Sequence, residues 1–474
     1  MSIDLDKAET IYFVGIGGIA MSATACIAKQ KGFTVLGSDA SEVYEPAKSV
    51  LEDQDIQYFS GYASTHVATS SADIFVVSAG EDTGNPEVAW LTGQDKTITS
   101  FPELLFALSQ DEVRIVVTGT HGKSTTTGLI GHLLKALDDS SFMTGAVLQD
   151  YDTNFHVGSG HYFVFEGDEY KSTFEDPTPK VIHYGADILV LNNLEFDHPD
   201  MFPTLEAEKD EFAEMVARVP EDGLIIYNSD DTNLKDVVYR ENKRAFSFGI
   251  HNEAEMKILE TSFSQGGAVF TVENKLDPHN IRRELYRTEL VGELNVYNAL
   301  AAITTLRALG FQPEAIGQHL ATYKGVKRRF EVVSETNDVT IIDDFAHHPT
   351  AVRETLAAAR VRFPKANIWA VFEPHTYTRT KATLEDLAKS FSDAGQVLLA
   401  PMYGAREKQD VVGITDAEVL EAIVKNQPST RALLDREDAL RILKTEVKPG
   451  DVVIVMSAGT FNKLAYELTD FLSN

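Results

Sequence analysis

Short apolar, β-branched runs alternate with helically spaced stretches along nearly the whole chain. Ile11-Tyr12-Phe13-Val14, Ile74-Phe75-Val76-Val77, Ile115-Val116-Val117 and Ile188-Leu189-Val190-Leu191 read as strands. This alternation predicts βαβ units and parallel sheets, an α/β fold class. There is no internal repeat and no low-complexity segment. Three strand–loop–helix openings stand out. They are Ile11 to Val14 running into Gly15, Arg114 to Thr118 running into Gly119, and Val339 to Asp344 running into Phe345-Ala346-His347-His348-Pro349. Each is expected to start a domain, giving residues 1–110, 111–325 and 326–474. A chain of 474 residues at roughly 150 residues per domain agrees with three.

Composition narrows the partners. Lys plus Arg total 42 against 72 for Asp plus Glu, a net charge of −30. Such a surface repels phosphate backbones, so nucleic acid is not an expected partner. Phosphates can bind only at a local site of backbone N–H groups, metal and a few cations. Cys26 is the only cysteine. It excludes an intrachain disulfide and a cysteine-based zinc site and suggests a reducing compartment. The opening MSIDLDKAET has no apolar signal region, and no apolar run approaches the ~18 residues of a membrane span. A cytoplasmic protein without a membrane partner is expected.

The strongest chemical signal is Gly119-Thr120-His121-Gly122-Lys123-Ser124-Thr125, between a β-branched strand and a helical stretch. Glycines let backbone N–H groups curl toward phosphate oxygens, and the helix N-terminus adds partial positive charge. Lys123 is expected to reach the β- and γ-phosphates, and the Ser124 hydroxyl to bind Mg²⁺. The loop departs from the general phosphate-loop pattern, having Val117 where that pattern has its first glycine.

Two later strand ends carry polar groups. His161 to Phe165 runs into Glu166-Gly167-Asp168-Glu169, and Ile188 to Leu191 into Asn192-Asn193-Leu194-Glu195-Phe196-Asp197-His198. Acidic residues after strands often serve only as helix caps. Glu166 and His198 are singled out because both should crowd the phosphate loop at the carboxyl edge of one sheet, where metal ions offset the charge of phosphoryl transfer.

In the first segment, Gly15, Gly17 and Ala20 fit G-x-G-x-x-A, and Asp39 ends the next strand. This is a dinucleotide-binding pattern, and the same geometry holds any diphosphate. Ser78-Ala79-Gly80 is a second strand-end turn. In the last segment, His347 and His348 are adjacent in an extended stretch and should point apart, which disfavours one shared ion. They read as a polar turn before a helix beginning near Pro349. Arg379, Lys381 and Arg406 are cations in an acidic chain, and a guanidinium can take a carboxylate bidentately.

Taken in order, several motifs resemble the Mur ligases, specifically the branch acting on UDP-N-acetylmuramic acid. They are Val14 to Ser22, Gly119 to Thr126, Glu166 to Glu169, Asn193 to His198, Asn295 to Ala299, Arg328 to Glu331, Asp343 to Thr350 and Pro374 to Thr380. The resemblance spans the full chain. It implies a UDP-sugar domain, a central ATPase domain and a C-terminal domain closing over amino acid and ATP. It implies that Gly15, Gly17, Gly18, Ile19, Met21, Ser22, Asp39 and Ser78 line the UDP-sugar groove. Gly119 to Thr125, Asn298 (adenine), Arg329 (γ-phosphate) and Asp344 (ribose) would bind ATP. Ser124, Glu166 and His198 would hold metal, and His347, His348, Tyr377, Arg379 and Arg406 the incoming amino acid. Lys123, Glu166, His198 and Arg329 would carry catalysis. Leu294 and Gly167 stand where the family often has His and Ala.

The expected reaction is ATP- and Mg²⁺-dependent amide formation through an acyl phosphate on UDP-N-acetylmuramate. The branch contains an L-alanine-adding ligase and a tripeptide-adding recycling ligase. Pro374 to Thr380 resembles the former, whereas Phe345 to His348 and Asn193 to His198 lean toward the latter. L-alanine is expected, because the amine binds the C-terminal domain. The expected assembly is a monomer or weak homodimer. Rivals of another class are a phosphate-loop nucleotide-binding protein without ligase chemistry and an NAD-dependent oxidoreductase built on Gly15 to Asp39.

Overall fold

The computed structural model describes residues 3–473 except 174, 175, 177, 198–200, 406 and 408–411. Three α/β domains follow one another, each built on one sheet. The first sheet is all parallel, in the order Gln57–Ser60, Thr34–Asp39, Thr10–Val14, Ile74–Val77, Thr97–Thr99. Chain direction across the sheet reverses around Thr10–Val14, so a ligand crevice is expected beyond the carboxyl ends of Thr10–Val14 and its neighbours. Gly15 and Ser78 lie there.

The second sheet has ten strands. At its centre Val113–Thr118 lies between Ile188–Leu191 and Tyr162–Glu166, all parallel. Val117 pairs with Glu166 and Thr118 with Leu191, which brings three strand ends to one edge. Ile115 and Val117 pack with Leu129, Ile130 and Leu133 of the helix Lys123–Asp138. Val116 faces the opposite layer, with Phe163, Phe165 and Phe212. That two-sided burial is why these strands are continuously apolar.

Beyond Ala245–Gly249 the sheet departs from the expected all-parallel pattern. Met256–Ser264, Gly267–Asn274 and Arg282–Thr288 form antiparallel pairs. In Arg282–Thr288 buried and exposed positions alternate, because only one face of this extension is covered. The third sheet runs Glu331–Thr336, Val339–Asp344, Val452–Met456, Ile368–Phe372, Gln396–Leu399, Thr430–Ala432, with only the first strand antiparallel. Helix Pro349–Arg362 starts where proline at its first position predicts, with His348 as N-cap accepting from Thr350 N. Among the described residues no helix is long and apolar enough to cross a membrane.

Candidate active site

The phosphate loop curls around the start of helix Lys123–Asp138. Gly122 has φ +79°, and a Cβ there would meet Asn298 Oδ1 at 2.3 Å, so both its torsion and its surroundings require glycine. Neighbouring strand ends hold the loop. His121 N donates to Asn193 Oδ1 at 2.7 Å, and Thr120 Oγ1 donates to the Glu195 carbonyl at 3.1 Å. Asn192 Nδ2 donates to Thr126 Oγ1, whose hydroxyl donates to Asn298 Oδ1.

Lys123 Nζ donates to Gly119 O at 2.7 Å and to both oxygens of Glu169 at 2.9 Å. Burial works against its charge, but Glu169, Asp168 and Glu166 outweigh it and hold the ammonium pKa above the ordinary lysine value. Ser124 Oγ donates to Glu166 Oε1 at 2.8 Å, and Gly145 N donates to Glu166 Oε2 at 2.6 Å. A hydroxyl and a carboxylate at a helix N-terminus are hard oxygen donors of the kind Mg²⁺ takes. These residues fit that ion.

The C-terminal domain closes the other side. Thr120 to Thr125, Glu166, Asn298, Arg329, Asp344, His347, His348 and Arg379 line one cavity of about 320 Å³. The Arg329 guanidinium lies 5.1 Å from the Phe345 ring centroid. Asp344 accepts from Phe330 N and Ala346 N, both at 2.7 Å, so its carboxylate also ties two loops together. Arg379 Nε donates to Asp197 Oδ1 at 2.6 Å across the domain boundary, with the two side chains 5% and 6% exposed. Burial opposes the charge of Arg379, and Asp197 more than restores it. The His347 and His348 rings diverge. His347 packs edge-on to His375, and His348 lies against His121. Burial pushes His347 well below the usual imidazole range and, with His121 beside it, His348 down to about 4.

Not every expected residue is brought to this cavity. Tyr377 is outside its lining, with its ring against Gly404. His198 and Arg406 lie outside the described residues. The first-domain group is at the separate edge of the first sheet. There Gly17 N donates to Asp39 Oδ2 at 2.7 Å, and Gly15 packs so closely on Ser78 that a Cβ would meet Ser78 Cβ at 2.9 Å. Gly18 and Ile19 are exposed at this edge. Met21 and Ser22 are buried in the first turn of helix Ile19–Gln30, with Met21 packed beside Gly18 and Ser22 N donating to the Gly18 carbonyl at 2.8 Å.

By sequence alone, Glu169, Glu195 and Asp197 are as compatible with helix caps as with chemistry. The structure instead engages them with Lys123, His121 and Arg379. Glu354 and Thr355, also in the wall, had no sequence signal beyond helical spacing.

Comparison with known proteins agrees with this arrangement. Residues 10–111 match the family described as "Mur ligase family, catalytic domain", residues 117–306 the Mur ligase middle domain, and residues 328–459 the Mur ligase glutamate ligase domain. The chain is 35% identical over 472 residues to the UDP-N-acetylmuramate–L-alanine ligase of Acetivibrio thermocellus, covering 98% of this chain and 96% of that one. It is 32% identical over 470 residues to the enzyme of that name from Clostridium acetobutylicum, covering 98% of both. Among solved structures, a murein peptide ligase from Psychrobacter arcticus is similar with TM-score 0.73 at 28% identity, over 98% of this chain and 99% of that one. A UDP-N-acetylmuramate–alanine ligase from Thermotoga maritima shares the fold with TM-score 0.79 at 23% identity, over 98% and 99%.

Proposed function

This chain belongs to the Mur ligase family, and from that premise we propose that it joins L-alanine to the lactyl carboxylate of UDP-N-acetylmuramate at the expense of ATP, in peptidoglycan precursor synthesis. The observation that carries this reading is the single cavity in which the phosphate loop faces His347, His348 and Arg379 of the C-terminal domain. A nucleotide switch needs the loop alone, and a dehydrogenase needs neither. The relatives named for L-alanine addition, similar over nearly their whole length, support L-alanine as the amine.

The triphosphate lies along Gly119 to Ser124, its charge met by loop N–H groups, the helix N-terminus and Lys123. The lactyl carboxylate, delivered from the first domain, attacks the γ-phosphorus in line. ADP leaves and an acyl phosphate forms. Lys123 and Arg329 offset the charge on the transferring group. Mg²⁺, held by Ser124 and Glu166, would add charge neutralisation on the phosphates. The neutral amine of L-alanine then attacks the acyl carbon. The C–O bond to phosphate breaks, an amide forms, and the nitrogen sheds its proton. Arg379 is suited to orient the amino-acid carboxylate. Water must be excluded at the acyl phosphate stage, so we infer domain closure about hinges near residues 110 and 326.

The test is phosphate release from ATP with Mg²⁺ and UDP-N-acetylmuramate, comparing L-alanine, glycine, L-serine and the tripeptide L-alanyl-γ-D-glutamyl-diaminopimelate. Turnover that needs the sugar nucleotide and is fastest with L-alanine is expected. Preference for the tripeptide would transfer the chain to the recycling reaction. ATP hydrolysis indifferent to sugar and amine would end the ligase reading.

A further inference from the structure

Beside the phosphate loop stands a group of side chains that the ligase chemistry does not use together. His121, Glu195 and His348 each present one ligand atom, all within 4.8 Å of one another. Among the described residues it is the one group of three or more such side chains gathered so closely. We propose that His121, Glu195 and His348 form a binding site for a borderline divalent cation of the zinc class, bridging the central and C-terminal domains.

The geometry is close to what such an ion needs. Tetrahedral Zn²⁺ with bonds of about 2.0–2.1 Å places its ligand atoms roughly 3.3 Å apart. His121 Nε2 is 3.2 Å from Glu195 Oε2, and His348 Nδ1 is 3.8 Å from the same oxygen. The two imidazole nitrogens lie within 4.8 Å of each other, so the His121 and His348 rings must also close toward one another to share an ion. The His348 nitrogen would give up a long contact, 3.3 Å, from Thr350 N. Two imidazoles with one carboxylate favour Zn²⁺, Co²⁺ or Ni²⁺ over Mg²⁺, which takes oxygen. Three protein ligands leave a fourth position open.

The ligands are also prepared. Thr350 Oγ1 donates to Glu195 Oε2 at 2.7 Å, and Asn193 holds the His121 backbone, so carboxylate and loop are oriented by neighbours. Without an ion His121 Nε2 donates to Glu195 Oε2, so binding a metal displaces that proton and replaces the hydrogen bond. The ligands come from the phosphate loop, the turn after Ile188–Leu191 and the N-cap of Pro349–Arg362. A bound ion therefore ties the C-terminal domain down over the loop, which should oppose opening and product release.

The experiment is Co²⁺ titration of the full-length, nucleotide-free protein in excess Mg²⁺, read by visible d–d absorption. We expect one equivalent to give the intense band of a four- or five-coordinate ion. The band should disappear in His348→Gln and in Glu195→Gln, and persist in Glu166→Gln. Zn²⁺ should displace it. His121→Asn replaces either variant if circular dichroism shows misfolding. A wild-type spectrum of weak octahedral type, or an intense band surviving loss of these ligands, overturns the proposal.

Discussion

The ammonium of Lys123 sits 2.9 Å from each carboxylate oxygen of Glu169. Glu169 is buried, so the lysine is held charged and aimed into the cavity before any phosphate contacts it. Lys123→Ala should lower sugar-dependent ADP release by on the order of 10³, the cost of removing a charge-stabilising donor. It should also destabilise the fold, because one partner of a buried pair is left alone. Lys123→Ala with Glu169→Gln should recover stability in urea denaturation and leave turnover lost. Normal turnover in the single variant removes the role assigned to Lys123.

Arg379 and Asp197 form a buried pair between domains. Arg379→Met should cost about 3–5 kcal/mol, since Asp197 keeps a buried charge. Adding Asp197→Asn should return a substantial part of that loss. Both variants should show a raised KM for L-alanine with the KM for ATP little changed. Denaturation curves and steady-state kinetics check the two claims separately, and an unchanged amine KM rejects the carboxylate-binding part.

Gly122→Ala tests the phosphate loop without touching a charge. A Cβ in this left-handed conformation costs about 1–2 kcal/mol and collides with Asn298 Oδ1. The KM for ATP should rise about tenfold, with the KM for the sugar nucleotide unaffected. Asn298→Ala in the same chain should not restore it, because the torsional strain remains. Full restoration would mean that the clash alone constrains this position.

Asp343 supplies a pH signature. Burial pushes its carboxyl up to about 7 against the opposing charge of Arg328. The folded protein then binds more protons than the unfolded chain above the ordinary Asp value of about 4. Stability is therefore fully present below about pH 4 and is lost as pH rises through about 7, by up to ~4 kcal/mol. Asp343→Asn removes this loss, so its advantage over the wild type should grow across that window and level off above it. Urea denaturation at a series of pH values measures it, and parallel wild-type and variant curves would refute it.

Much of the architecture was legible from local signals. The strand before Gly119 is β-branched and apolar because both its faces are buried, and Pro349 marks a helix start because its missing N–H costs nothing there. The antiparallel extension from Met256 to Thr288 was not legible, because its alternation becomes visible only once one face is known to be covered.

The sequence by itself determined the order of three α/β units, the glycine turn that carries Lys123 and Ser124 into a helix, and the position of Glu166 at the end of a strand. Local periodicity and loop chemistry act over a few residues, and those features need nothing more. Only the tertiary structure decided which carboxylate each cation meets. Lys123 and Glu169 are joined by the pairing of strands, and Arg379 and Asp197 by domain packing. A charge-to-charge contact depends on distances of a few ångströms, and residues far apart in sequence come that close only after the sheets have set the register and the domains have packed.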